Sequence, residues 1–265
     1  MRIKFVVSIG VLFVLSTACK KKGCTDEVAT NYNSAAQKDD GSCIYAPSNT
    51  SEFIFIHEID GSDFQFDVIS YPHPAGQNYS VQTLKYFVSN IVLYKASGDS
   101  VYIDVEHYVD ATDSTTTTLK YSQDIENTSY TGIAFIFGLD ATKNVTGAYL
   151  NPPENLMEWP IPMGGGYHYM KMEGKYDSLG TIKNYNIHTG ASMGNQYYFK
   201  ANLTQAFTVT NNAVHVELKM ELNNWFQSPN LFNFDVYGDA IMGNQGAQQA
   251  ISENGNDVFS IGTIF

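Results

Sequence analysis

Phe53-Ile54-Phe55-Ile56-His57 opens the part of the chain whose reading decides the fold. Apart from the histidine its residues are aromatic or β-branched, and on a two-residue period Phe53, Phe55 and His57 share one face of a strand. The same texture recurs in Leu84 to Tyr94, Val101 to Val105, Thr131 to Phe137, Tyr167 to Glu173, Tyr197 to Leu203 and Phe207 to Leu222, each run bounded by turn residues. Asn211-Asn212 divides the last run into a tight hairpin, because Asn tolerates positive φ. Thr115 to Thr118 is β-prone but polar, which places it at an edge. Asp239 to Glu253 reads as a helix with Ile241, Ala247, Ala250 and Ile251 roughly on one face, stopped by Asn254-Gly255. No unit repeats, and no Gly-rich phosphate loop follows a strand. Many closely spaced strands with one late helix predict a mostly β protein: an antiparallel β-sandwich with one short C-terminal helix, a closed barrel being the alternative.

Composition agrees with a large core. The chain has 265 residues, 14% aromatic and only 16% charged, which excludes a disordered or collagen-like protein. Its net charge of −12 repels phosphate backbones, so no nucleic-acid partner is expected. No stretch has the roughly 18 apolar residues of a membrane span.

The first residues read as an address. Arg2 and Lys4 precede an apolar run from Phe5 to Leu15, then Ser16-Thr17-Ala18-Cys19. That order looks like a bacterial lipoprotein signal, with residues 1–18 removed and Cys19 lipidated, although Ser16 stands where such signals usually carry Leu. Lys20, Lys21 and Lys22 would then meet anionic headgroups. The expectation is an outer-membrane or periplasmic protein tethered to the membrane by its lipid. In an oxidising compartment the remaining pair, Cys24 and Cys43, is expected to form a disulfide. Residues 19–45 would be the anchor and this small loop, 46–52 (from Ala46-Pro47-Ser48) a polar linker, and 53–265 the β domain. Asp26, Asp39 and Asp40 are candidates for a calcium loop, since hard cations prefer oxygen; Asp39-Asp40-Gly41 as a simple turn is the favoured alternative.

Chemistry is sparse in local motifs. No Gly-x-Ser-x-Gly elbow is present, and no carboxylate pair stands out. Three histidines keep unusual company. His57 points where two phenyl rings point; His168, Met170 and Met172 alternate along one strand face; His188 lies in Tyr185-Asn186-Ile187-His188-Thr189-Gly190 at a strand end. Imidazole with thioether suits copper better than calcium or magnesium, while alternating methionines are equally ordinary core filler. His73, between Pro72 and Pro74, reads as an exposed loop residue; His107 and His215 as structural or surface residues.

Several segments together resemble successive motifs of one family: His57-Glu58-Ile59-Asp60-Gly61, Leu84 to Leu93, Phe135-Ile136-Phe137-Gly138-Leu139-Asp140, Met157-Glu158-Trp159, Gly166 to Gly174, Tyr185 to Gly190, and Glu253-Asn254-Gly255 followed by Val258-Phe259. In this order, over roughly residues 53 to 260, they are similar to the MbnP-like family. The resemblance implies an exported β-rich protein that binds copper through histidines and a tryptophan oxidised to kynurenine by a di-haem peroxidase-like partner. It carries the metal role to His57, His188 and Trp159. The second tryptophan of the family's Met-x-Trp-x-Trp segment is missing, since Pro160-Ile161-Pro162 follows Trp159, and a site of His57, His168 and His188 stays open beside the first. A copper protein that captures, stores or hands over its metal needs no general acid or nucleophile, so no enzyme is expected. Sharing one metal requires His57 and His188 to bring ring nitrogens within about 4 Å; opposite sheets would favour a metal-free surface-adhesion module. Upstream, Cys24 to Tyr45 resembles a cysteine-flanked repeat of Bacteroidota surface proteins, akin to thrombospondin type 3 calcium loops.

Overall fold

The computed structural model describes residues 20–27, 29–44 and 49–265. The expected signal at 1–18, Cys19 and residues 46–48 of the expected linker lie outside the described residues. The chain forms two compact units, Met1–Ser48 and Asn49–Phe265. Among the described residues no helix is long and apolar enough to cross a membrane.

In the first unit Cys24 and Cys43 are joined by the expected disulfide, their Cα atoms 4.7 Å apart. Asp39 Oδ1 accepts the Gly41 N–H at 3.0 Å and Asp40 Oδ1 accepts the Ser42 N–H at 3.1 Å, the side-chain-to-backbone pattern of a turn. The Ser42 bonds hold the Asp40 carboxyl below its usual range.

The second unit contains twelve strands: β1 (Ser51–Ile59), β2 (Ser62–Asp63), β3 (Tyr71–Pro72), β4 (Asn78–Lys95), β5 (Ser100–Asp110), β6 (Thr118–Tyr121), β7 (Ser129–Phe137), β8 (His168–Ser178), β9 (Thr181–Gly190), β10 (Phe199–Thr208), β11 (His215–Glu221) and β12 (Phe259–Ile264). A five-stranded sheet runs β12-β11-β1-β2 with β6 also on β1, and a seven-stranded sheet runs β10-β7-β4-β8-β9 with β3 and β5 on β4. Pairing is antiparallel except between β1 and β11, which is parallel. Of the polar run Thr115 to Thr118 only Thr118 is in a strand: Thr115 to Thr117 form the turn that leads into β6, and β6 pairs with β1 at the edge of the sheet. The sheets face each other: Phe53 and Phe55 of β1, Met220 of β11, Tyr86 of β4, Phe135 of β7 and Met170 of β8 all belong to one buried cluster. Phe135 meets Phe259 edge-on at 5.0 Å across that interior.

Two local expectations change. Asn211 and Asn212 do adopt φ of 61° and 58°, but the strands they join go to different sheets. Phe207 stacks on Tyr130 of β7 at 5.1 Å, while Val216 pairs with Phe53 of β1; each side of the turn follows its own apolar partners. The C-terminal helix begins later than its periodicity suggests. It is α2 (Gln245–Asn254), because the Asn244 side chain caps it by accepting the Ala247 N–H; the four-residue α1 (Phe234–Tyr237) precedes it.

The long strand β4 positions the site. Tyr86 pairs with both Met170 of β8 and Val109 of β5, and Val88 with both Phe137 of β7 and His107 of β5. Strands β8 and β7 therefore share one flank of β4, with the change of partner at Phe87. There β7 ends, and Gly138 donates its N–H to the Phe87 carbonyl. Gly138 has φ of +92°, and a Cβ on it would lie 2.7 Å from the Tyr169 ring, so only glycine lets the two strands meet. The segment leaving this gap crosses the face of the seven-stranded sheet turned away from the other sheet. It covers a second apolar cluster that includes Phe87, Tyr108, Met157, Tyr167 and Tyr169.

Candidate metal centre

Trp159 rides on that crossing segment. Its backbone N–H donates to the Gly166 carbonyl, and Glu158 bridges Tyr167, so the chain doubles back directly onto the start of β8. The indole is buried, and its ring lies so close to Gly190 that a Cβ there would come within 2.7 Å of it. Glycine at the end of β9 is what lets the indole approach the strand this closely.

His168 departs from the expected alternation. The register of β8 on β9 shifts between His168 and Met170, a bulge that gives β8 one extra residue, Tyr169. Met170 and Met172 stay in the core between the sheets, whereas His168 is turned to the opposite side. The imidazole–thioether face drawn from simple alternation does not exist. What the bulge creates instead is a meeting of rings: His168 lies 4.8 Å from Trp159 and 5.1 Å from His188, centroid to centroid.

The protons of these rings follow from their partners. His168 Nδ1 lies 2.8 Å from the Met157 carbonyl oxygen, which can only accept, so Nδ1 carries the hydrogen. Nε2 then holds a lone pair, is buried, and has no hydrogen-bond partner. Burial pushes the imidazole down to about 3, which keeps it neutral. His188 Nε2 lies 2.6 Å from Glu173 Oε1 and gives its hydrogen to the carboxylate, so that in the neutral ring the lone pair is on Nδ1. That bond, working against desolvation, draws Glu173 down to about 2. The backbone is fixed as well: buried Gln248 of α2 donates to the His188 carbonyl at 2.7 Å and accepts from the Gly190 N–H at 3.3 Å.

His57 does not join them. It does point with Phe53 and Phe55 toward the interior, where its Nε2 is 2.9 Å from the Tyr86 hydroxyl and burial lowers it to about 4. His57 belongs to β1 in one sheet, His188 to β9 in the other, on the face turned away. The Asp-Gly turn after His57 has its own structural explanation: Glu221 accepts the Asp60 and Gly61 N–H groups at 2.9 and 2.8 Å. Among the described residues no group of three or more His, Cys, Asp or Glu is arranged to hold a metal. Local sequence could not single out Glu173 or Gln248; Glu173 lies two residues from Lys171, the register partner of His188, and Gln248 is distant in sequence.

His73 also corrects its reading as exposed. It is buried, its ring 4.6 Å from Phe226 and 4.3 Å from Phe234, because Tyr71–Pro72 pairs with β4 and tucks the following residue beneath these phenyls. His107 bonds the Thr116 carbonyl and His215 faces Glu52.

The MbnP family model matches residues 48–242 of the chain. The chain belongs to the MbnP family. A solved structure, MbnP from Methylosinus trichosporium, is similar in fold with a TM-score of 0.52 at 15% identity, over 80% of this chain and 98% of that one. No curated protein matches the chain. The MbnP match ends at residue 242, so it takes in Trp159, His168, Glu173 and His188 but not Gln248.

Proposed function

We propose that this MbnP-family chain is an exported, lipid-anchored copper-binding protein without a catalytic role, and that His168 and His188 beside Trp159 form its copper pocket. The observation carrying this is the buried, unpartnered Nε2 of His168, whose other nitrogen is committed to the main chain. His188 repeats the pattern, with Glu173 as the outer partner. A ring whose far nitrogen is fixed by an oxygen and whose near nitrogen keeps its lone pair is how proteins present histidine to a metal. Two imidazoles make an incomplete set. An unmodified indole N–H can only donate, so Trp159 becomes a ligand only if oxidised, its kynurenine then adding the carbonyl or amine that copper accepts beside imidazole. That oxidation would be the task of a di-haem peroxidase-like partner. The Arg2-to-Cys19 pattern supports a membrane tether through lipid, in the periplasm or at the outer membrane.

Copper titration of the full-length protein, with intact-mass measurement of Trp159, tests this. About one copper should bind, and His168→Ala or His188→Ala should each weaken uptake by on the order of 100-fold, Glu173→Gln by roughly tenfold. His57→Ala should leave uptake intact. Parent-like binding by both His168→Ala and His188→Ala would remove the pocket. The separation of His57 from His188 favours a second reading, a metal-free surface-binding module, and no copper uptake by any form would leave that one standing.

A further inference from the structure

The outward face of the seven-stranded sheet carries a second concavity, formed by β4, β5, β7 and β10, with a volume of about 440 Å³. That is within the roughly 300–1,000 Å³ range of ligand pockets. Register places Val92 of β4 between Tyr102 of β5 and Ala134 of β7, and Ile136 of β7 opposite Lys200 of β10. Val92 and Ile136 make an apolar floor, and Tyr102 and Tyr198 line the rim. Tyr102 is 75% exposed, a large ring held in water with little to pack against.

Beside this floor the longest strand is deformed. Asn90 has φ of +52° in the middle of β4, where the register with β5 shifts between Ser89 and Ile91. Its amide nitrogen donates to Asp140 Oδ2 at 2.5 Å, while Asp140 Oδ1 accepts from the Thr142 N–H and hydroxyl. A non-glycine residue in the left-handed region within a strand costs about 1–3 kcal/mol, and such bulges re-aim side chains. Here the bulge sets the Asn90 amide at the lip of the concavity.

The charges around it balance in number. Lys143 pairs with Asp104, Asp140 is held by amide and hydroxyl donors, and the Lys200 ammonium lies 5.3 Å over the Tyr94 ring. Two carboxylates, Asp104 and Asp140, stand against two ammonium groups, Lys143 and Lys200, so the rim carries no net charge to favour a phosphate or an amine. One exposed ring (Tyr102) and one half-buried ring (Tyr198, edge-on to Tyr169) over an aliphatic floor, edged by polar groups of balanced charge, match a molecule with C–H faces and hydroxyl edges. We propose that this concavity binds a neutral saccharide, with Tyr102 and Tyr198 against pyranose C–H faces and Asn90, Asp104 and Asp140 taking hydroxyls. The site shares no residue with the Trp159 pocket and stands whether or not copper binds there.

Calorimetric titration of the full-length protein with cellohexaose, maltohexaose, xylohexaose and laminarihexaose tests it, with phosphate and choline as charged controls. At least one hexasaccharide should bind, weakened tenfold or more by Tyr102→Ala and by Tyr198→Ala, while copper uptake and circular dichroism stay unchanged. Because Tyr102 is exposed, its removal leaves the fold intact. Failure of all four sugars to bind, equal binding by Tyr102→Ala, or a Tyr102-dependent response to phosphate or choline alone would overturn the proposal.

Discussion

His168 gives its Nδ1 hydrogen to a main-chain carbonyl and keeps Nε2 bare, and it is one of four histidines, with His57, His73 and His107, that burial shifts down. Burial lowers His57 and His73 to about 4 and His168 to about 3, from an ordinary value of 6.5. Above pH 6.5 both folded and unfolded chains are neutral at these rings, so their burial is fully tolerated. As pH falls below 6.5 the unfolded chain takes up protons first. Stability should therefore decline from pH 6.5 down to about pH 3–4, at up to roughly 1.4 kcal/mol per pH unit for each histidine. Urea melts of the apo protein at pH 7.5, 5.5 and 4.5 measure this. His73→Asn keeps an acceptor close to Nδ1, which receives the Ala75 N–H, and should flatten the slope although it loses ring contacts. An unchanged slope would mean that His73 titrates alike in both states. Side-chain direction on β1 was legible residue by residue, because alternation holds wherever pairing is regular. His168 was not, since one inserted residue reverses every inference made from alternation beyond it.

At the scale of elements, strands were readable from their apolar texture, but their partners were not. Nothing near Phe207 to Leu222 reveals that β10 follows Tyr130 into one sheet while β11 lies parallel to β1 in the other. The Asn pair was read correctly as a turn because local backbone chemistry fixes it: both residues take positive φ whatever their strands pair with. One ladder bridge, Thr210 with Ala213, closes it, and the Asn212 main chain is anchored by Asn127 Oδ1 and the Ile125 N–H, so Asn211 contributes mainly through its positive-φ backbone. Asn211→Val should therefore cost about 1–2 kcal/mol in denaturant melts, since a β-branched residue is badly placed there, whereas Asn211→Gly should stay within roughly 0.5 kcal/mol of the parent. Equal losses for both would show that the Asn211 side chain, not its backbone, holds the turn. The helix shows the same division. Its existence was legible from periodicity, while its start depends on Asn244, whose capping bond outweighs the weak apolar pattern before it.

The whole molecule joins two units built by different means. Residues 49–265 bury dozens of apolar side chains between two sheets, and a core of that size needs no covalent staple. The first unit is too small for such a core, and buried Cys24 and Ala29 are its few apolar anchors among the described residues. Its order depends on the Cys24–Cys43 bond and on short polar links such as Asn31 Nδ2 to the Ser42 carbonyl. A bond spanning 19 residues restricts the unfolded chain by roughly 3 kcal/mol, a large share of anything so small a unit can possess. Cys24→Ser with Cys43→Ser should thus open residues 20–44 to fast hydrogen exchange and proteolysis. The same variant should leave the melting temperature of the β domain within a degree or two of the parent and copper uptake at the His168–His188 pocket unaltered. A matching fall in β-domain stability would show that the disulfide loop is part of the domain's cooperative unit, and its boundary near residue 48 would have to be redrawn.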